Sequence, residues 1–392
     1  MTMTRGLIGL AMAIALLTQP SARSGAPQDK SRPTSYQLIS DALTAGRITE
    51  ESAYKYRVFA AFGHPGLPEQ YRGIDSLVTE VPRSVFAVGP KLRTFSPQTR
   101  AELMPFFLPP SAPGSWVALS AAPDVPREPM PVPGDDPVDD TSVTPVSERP
   151  STIWFTKLAA GGAVKVWAQL HHRGDSAKAE KIADEITATI WPALTRVLGR
   201  PKSDMQYMLN SGGPELDIFL VRPSFTPADS ARNVQRYGRS APWRGVTMHT
   251  DTTTWPCKEA AFFILLNSVN PVGSATSKGL LQDVAHEITH AITGAKPLQG
   301  ACEDYDWMSE ATATWAEHKA YPKAQTEHGP AQGFLADVSL SLDERTPGDF
   351  NSHAYDSYLF PFYLMLTGKE AAIPAIWQAF ATQAQLAGVN AG

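Results

Sequence analysis

The residues in this chain that could do chemistry begin with a pentapeptide, HEITH, at positions 286–290. His286 and His290 are four apart, and on a helix positions i and i+4 lie one above the other on the same face. Two imidazoles placed that way can reach one metal ion. Glu287 stands beside the first of them, close enough to meet a water on that ion. A catalytic zinc centre keeps three protein ligands and one open position, so a third His, Glu or Asp is required from a neighbouring element.

Downstream lies WMSEATATW at 307–315. The pair HEITH and WMSEATATW resembles the gluzincin branch of zinc metallopeptidases, which carry HExxH on one helix and a Glu ligand on a second. The match spans residues 278–320 well and the remainder loosely; the wider pattern is similar to that of uncharacterised secreted bacterial proteins. The resemblance implies that Glu310 completes a Zn2+ site with His286 and His290. It implies a catalytic zincin-like domain that hydrolyses peptide bonds in a peptide or protein substrate, with Glu287 activating a water and passing its proton to the leaving amine. Small residues at Ala311 and Ala313 let two such helices approach closely. Glu317, two turns beyond Glu310, is the competing carboxylate, read here as a solvated helix face.

Members of this branch add a Tyr or His donor that stabilises the oxyanion. The candidates are His353, Tyr355 and Tyr358, and Tyr355 is favoured. Thr314 or Glu317 is placed to orient a ligand imidazole; relatives have an acid where this chain has Thr314. The alternative is a zincin-fold protein without activity, serving as a binding or structural module. The intact Glu287 argues against it.

These residues must be positioned by helices. Leu280, Leu281, Val284, Ile288 and Ile292 give the 286–290 segment an apolar face, Ser277 offers an N-cap and Gly294 a stop. The segments 278–293, 307–320 and 353–367 read as helices. Residues 164–170, 216–221 and 261–266 read as strands, the last lining the cleft in similar folds and pairing there with an extended substrate. Residues 177–198 read as a long helix that Pro192 kinks. Strands first and helices later make an α+β class with a small mixed sheet packed on helices. The other histidines, His318 and His328 among them, lack partners at ligand spacing.

Upstream, 35–110 reads as a small helical domain, a propeptide or accessory module, with helix starts at Thr49 and at Ser96 followed by Pro97. Residues 111–150 read as a Pro- and Asp-rich linker, and 151–392 as the zincin-like domain. Residues 1–26 read as a signal peptide: Arg5, an apolar run at 6–17 too short to span a bilayer comfortably, then small residues. A secreted or periplasmic chain follows, with no membrane association after cleavage and one expected disulfide between its 2 cysteines, Cys257 and Cys302. With 34 Lys and Arg against 39 Asp and Glu, no cationic surplus points to nucleic acid. The sequence specifies no oligomeric state.

Overall fold

The computed structural model describes residues 33–73, 88–120, 154–170, 172, 174–205, 213–221, 245–249, 259–277, 279–299, 305–325, 327–336, 338–343 and 352–382. The signal segment, Cys257, Cys302 and residues 121–150 lie outside them. No helix among the described residues is long and apolar enough to cross a membrane. All of the described residues belong to one compact unit.

The chain opens with helices α1 (Ser35–Thr44), α2 (Glu50–Ala61) and α3 (Pro97–Phe107). Each starts at a hydroxyl cap: Thr34 accepts from Gln37 N–H, Thr49 from Ser52 N–H and Ser96 from Thr99 N–H, satisfying donors the first turn cannot pair internally. A short helix α4 (Trp116–Ser120) follows, with Trp116 and Val117 buried. The stretch read as a linker from 111 is thus folded over its first residues.

Strands β1 (Trp154–Ala159) and β2 (Val164–Gln169) form an antiparallel hairpin. Helix α5 (Asp175–Glu185) then runs through one π turn (Ile186–Ile190) into α6 (Trp191–Leu198). Pro192 has no N–H to donate, and the wider turn just before it, with Trp191 N–H bonded to Ile186 O, absorbs that gap without breaking the rod. Strands β3 (Leu216–Val221), β4 (Gly245–His249) and β5 (Phe262–Asn267) complete a five-stranded mixed sheet in the order β1-β2-β3-β5-β4. The pairs β2–β3 and β3–β5 are parallel, while β4 runs antiparallel to β5 at the edge.

Period-2 alternation divides the sheet's side chains between two cores. Ile218, Leu220, Ile264 and Leu266 join the cluster built with α5, α6 and the later helices. Phe219, Val221, Phe263 and Leu265 point the other way, into a cluster with Ile39, Phe59, Phe62 and Phe107 from the first helices. Both faces are covered, which is why IFLV of β3 and FFILL of β5 are runs of apolar residues rather than alternating ones. The N-terminal helices share a hydrophobic core with the sheet.

After β5 come α7 (Leu280–Gly294), α8 (Asp306–Ala320), α9 (His328–Ala336), α10 (Ser352–Asp356), α11 (Leu359–Leu366) and α12 (Ala372–Thr382). Helix α7 starts after Gly279 rather than at Ser277. Ser277 Oγ lies 2.8 Å from Ser274 Oγ instead, and the N–H groups of Leu280 and Leu281 donate to the carbonyls of Pro271 and Val272. The loop from β5 therefore caps the helix with its own backbone. Gly273 and Gly279 make this turn feasible: a Cβ at Gly279 would lie 2.4 Å from Gly273 Cα. The strand at 261–266, expected to receive a substrate, is interior. Its two edges are taken by β3 and β4, so it has no main-chain groups left for an incoming peptide; the outer strand is β4.

Candidate metal centre

The site is built where α7 packs against α8. Leu280, Leu281, Val284, Ile288 and Ile292 of α7 are all buried and press the helix onto the sheet and α6. That orientation turns His286, Glu287 and His290 toward α8. On α8, Ala311 and Ala313 on either side of the helix are fully buried, small side chains that allow close packing around Glu310. The middle of α8 is held by Trp377 of α12, whose indole donates to Thr312 Oγ1.

Three donors converge. Glu310 Oε2 stands 3.2 Å from His286 Nε2 and 3.5 Å from His290 Nε2. The two rings lie 4.8 Å apart, crossed at 73°. One atom from each of the three residues falls within 4.8 Å of the others, so the group could hold a metal ion. A tetrahedral ion with bonds of about 2.0–2.1 Å keeps its ligands roughly 3.3 Å apart, close to both measured separations.

The other nitrogen of each imidazole is occupied. His286 Nδ1 lies 3.0 Å from Glu317 Oε1, and His290 Nδ1 lies 3.0 Å from Ser309 Oγ. Donation from Nδ1–H to these partners leaves Nε2 of each ring as the atom turned to Glu310, the nitrogen a metal would take in place of a proton. Glu317 is therefore no solvated helix face: it is largely buried and holds the first histidine. Thr314, the other expected orienting residue, is buried with its hydroxyl making no hydrogen bond among the described residues. Ser309 gave no sequence signal beyond its place one residue before Glu310.

The electrostatics follow from this geometry. Burial disfavours the His286 cation, but hydrogen bonds and charge from Glu310 and Glu317 outweigh it and raise its pKa well above the usual histidine value. Burial opposes ionisation of Glu310 too, yet the charges and hydrogen bonds of His290 and His286 prevail and hold it well below the usual carboxylate range. The pocket is thus set up for a carboxylate facing cationic or electrophilic partners.

Glu287 is buried, and its carboxylate acts on the same Tyr355 phenol as Glu310 and Glu317. Tyr355 of α10 stacks on His286, with ring centroids 5.7 Å apart and planes 10° from parallel, and its hydroxyl hydrogen-bonds Glu310. Burial and the carboxylates of Glu310, Glu287 and Glu317 push that phenol well above its usual pKa, so it stays protonated and able to donate. The two rival candidates sit elsewhere. His353 Nε2 bonds Ser341 O at 2.6 Å and the ring stacks on Phe334, while Tyr358 bonds His328. His318 and His328, read as lacking partners, both meet Glu327 and form a second group of three donors. No family model, curated protein or solved structure matches this chain.

Proposed function

We propose that this chain is a zinc-dependent peptidase of the gluzincin type, with His286, His290 and Glu310 as metal ligands and Glu287 as general base. The observation that carries the reading is the convergence of two Nε2 atoms and one carboxylate oxygen, with both Nδ1 atoms held from behind. Mixed nitrogen and oxygen donors in a set of three suit Zn2+. Zinc bound there polarises a carbonyl and makes a neighbouring water acidic near neutral pH.

The chain's own residues supply the remainder. Glu287 takes a proton from the attacking water and delivers it to the leaving amine. Tyr355, kept protonated, donates its O–H to the oxygen that gains charge as the carbonyl becomes tetrahedral. Glu317 and Ser309 keep the imidazoles in register. The outer strand β4 packs beside α7, and its far edge has no strand partner among the described residues. An extended peptide added there as a further strand runs past the site. A structural metal site has no use for a buried carboxylate in the position of Glu287, and this weighs against an inactive binding module.

The test is a Glu287→Gln variant assayed on a broad peptide library beside its parent, with zinc content measured on both. Equal zinc and at least a hundredfold slower cleavage are expected, within the range for loss of a general base. A variant that cleaves as fast as its parent removes Glu287 from the mechanism. A parent that binds zinc and cleaves nothing favours the structural module.

A further inference from the structure

Behind the first centre, one residue past Glu317, a separate set of donors meets. His318 comes from the last turn of α8, Glu327 from the residue preceding α9, and His328 from the first residue of α9. His318 Nδ1 lies 2.5 Å from Glu327 Oε1, and His328 Nδ1 lies 3.6 Å from the same oxygen. All three donor atoms lie within 4.8 Å of one another.

An ordinary ion pair explains only part of this. A His318–Glu327 pair needs one imidazole and one carboxylate oxygen, and both are supplied. It leaves Glu327 Oε2 buried with no hydrogen-bond partner among the described residues, in a residue that is 1% exposed. It also leaves a second imidazole turning the same kind of atom toward the same oxygen, beyond hydrogen-bond range. A buried carboxylate oxygen without a partner is costly. Two imidazole nitrogens and a carboxylate oxygen gathered within 4.8 Å of one another form a set that could hold a cation, and their separations from Glu327 Oε1, 2.5 and 3.6 Å, lie on either side of the roughly 3.3 Å between ligands of a tetrahedral zinc.

We propose that His318, Glu327 and His328 form a second metal site that takes a zinc-like divalent cation. The fourth position falls to the Tyr358 hydroxyl, 2.9 Å from His328 Nδ1, or to a water. The site is structural in character. Tyr358 is fully buried, and the Phe362 ring stands edge-on to both imidazoles at 4.9 and 5.8 Å. That wall leaves little room for a substrate. The ion ties the end of α8 to the start of α9 and to the Tyr358 region. It thereby braces Glu317, the neighbour of His318, and Tyr355, one turn before Tyr358.

The experiment is zinc stoichiometry of the full chain after equilibrium dialysis, measured by plasma mass spectrometry, with near-ultraviolet circular dichroism to confirm folding. The parent is expected to bind two zinc ions per chain. A His286→Ala/His290→Ala variant should keep one, and adding His328→Gln should remove it. Glutamine at 328 can still hydrogen-bond Tyr358, so this variant separates lost ligation from lost folding. Should the parent bind a single ion that survives His286→Ala/His290→Ala and disappears with His328→Gln, the second site stands and the first fails. A folded His286→Ala/His290→Ala variant that binds no zinc overturns the second site. So does a stoichiometry that His318→Ala and His328→Gln both leave unchanged.

Discussion

His286 is gripped at both ends of its ring, by Glu310 at Nε2 and Glu317 at Nδ1, and the two contacts do different things. The first lies on the edge that the proposed zinc would share; the second sets which nitrogen carries the proton. Loss of the second should weaken zinc without removing a ligand. Glu317→Ala is expected to lower zinc affinity 10–100-fold, the usual range for an outer partner of a metal-bound histidine. Glu317→Gln, which keeps an oxygen acceptor, should lose less. A competitive chelator titration measures both, and an affinity unchanged in Glu317→Ala would assign that carboxylate to packing alone. At this scale the sequence was partly legible. HEITH and WMSEATATW announced the converging residues because helical spacing and a conspicuous Glu leave a pattern. Ser309 left none, since a hydroxyl beside a ligand looks like any serine on a helix. Nor did the cluster at 318, 327 and 328, whose members sit at the end of one helix, just before the next and on its first residue, at a spacing that matches no helical period.

The elements carrying these residues meet with little tolerance. Gly294 ends α7 where Phe262 of β5 crosses it, and a Cβ at that position would come within 2.3 Å of the Phe262 ring. The ring is buried in the sheet's core. Gly294→Ala should therefore destabilise the fold by about 1–3 kcal/mol, the cost of overpacking a close contact. Thermal melting measures it, and a melting temperature equal to the parent's would mean that the helix end can shift freely. Helix α7 and the strands β2, β3 and β5 were readable from their apolar patterns and α8 from its motif, whereas the segment read as one helix at 353–367 is two, α10 and α11, interrupted at Ser357 and Tyr358. Strand β1 was not, since Thr156, Lys157 and Leu158 are exposed in succession and break the alternation. Strand β4 was missed as well, and with it the sheet order. The placing of β5 between β3 and β4 depends on pairings between distant segments, which no local pattern records.

Across the whole molecule, the sheet is a middle layer: the site helices cover one face and the N-terminal helices the other. Among the groups buried near its strands is Asp204, 2% exposed, with neither carboxylate oxygen hydrogen-bonded among the described residues. Burial first, then the charges of Asp217 and Glu215, raise its pKa from 3.8 to about 7. Between those two values the folded chain holds a proton that the unfolded chain has released. Stability from this group is thus fully present below pH 3.8 and is lost as the pH rises through 7. Asp204→Asn should match its parent near pH 4 and exceed it in stability at pH 8. Urea denaturation at the two pH values checks this, and an equal gap at both would show that Asp204 ionises freely.

The account as a whole turns on where a cation sits. Crystals grown with zinc and measured on both sides of the zinc absorption edge give the most direct answer. An anomalous peak is expected within about 2.0–2.2 Å of His286 Nε2, His290 Nε2 and a Glu310 carboxylate oxygen. A map with no peak there, and the Glu310 carboxylate turned away from the two rings, would contradict it.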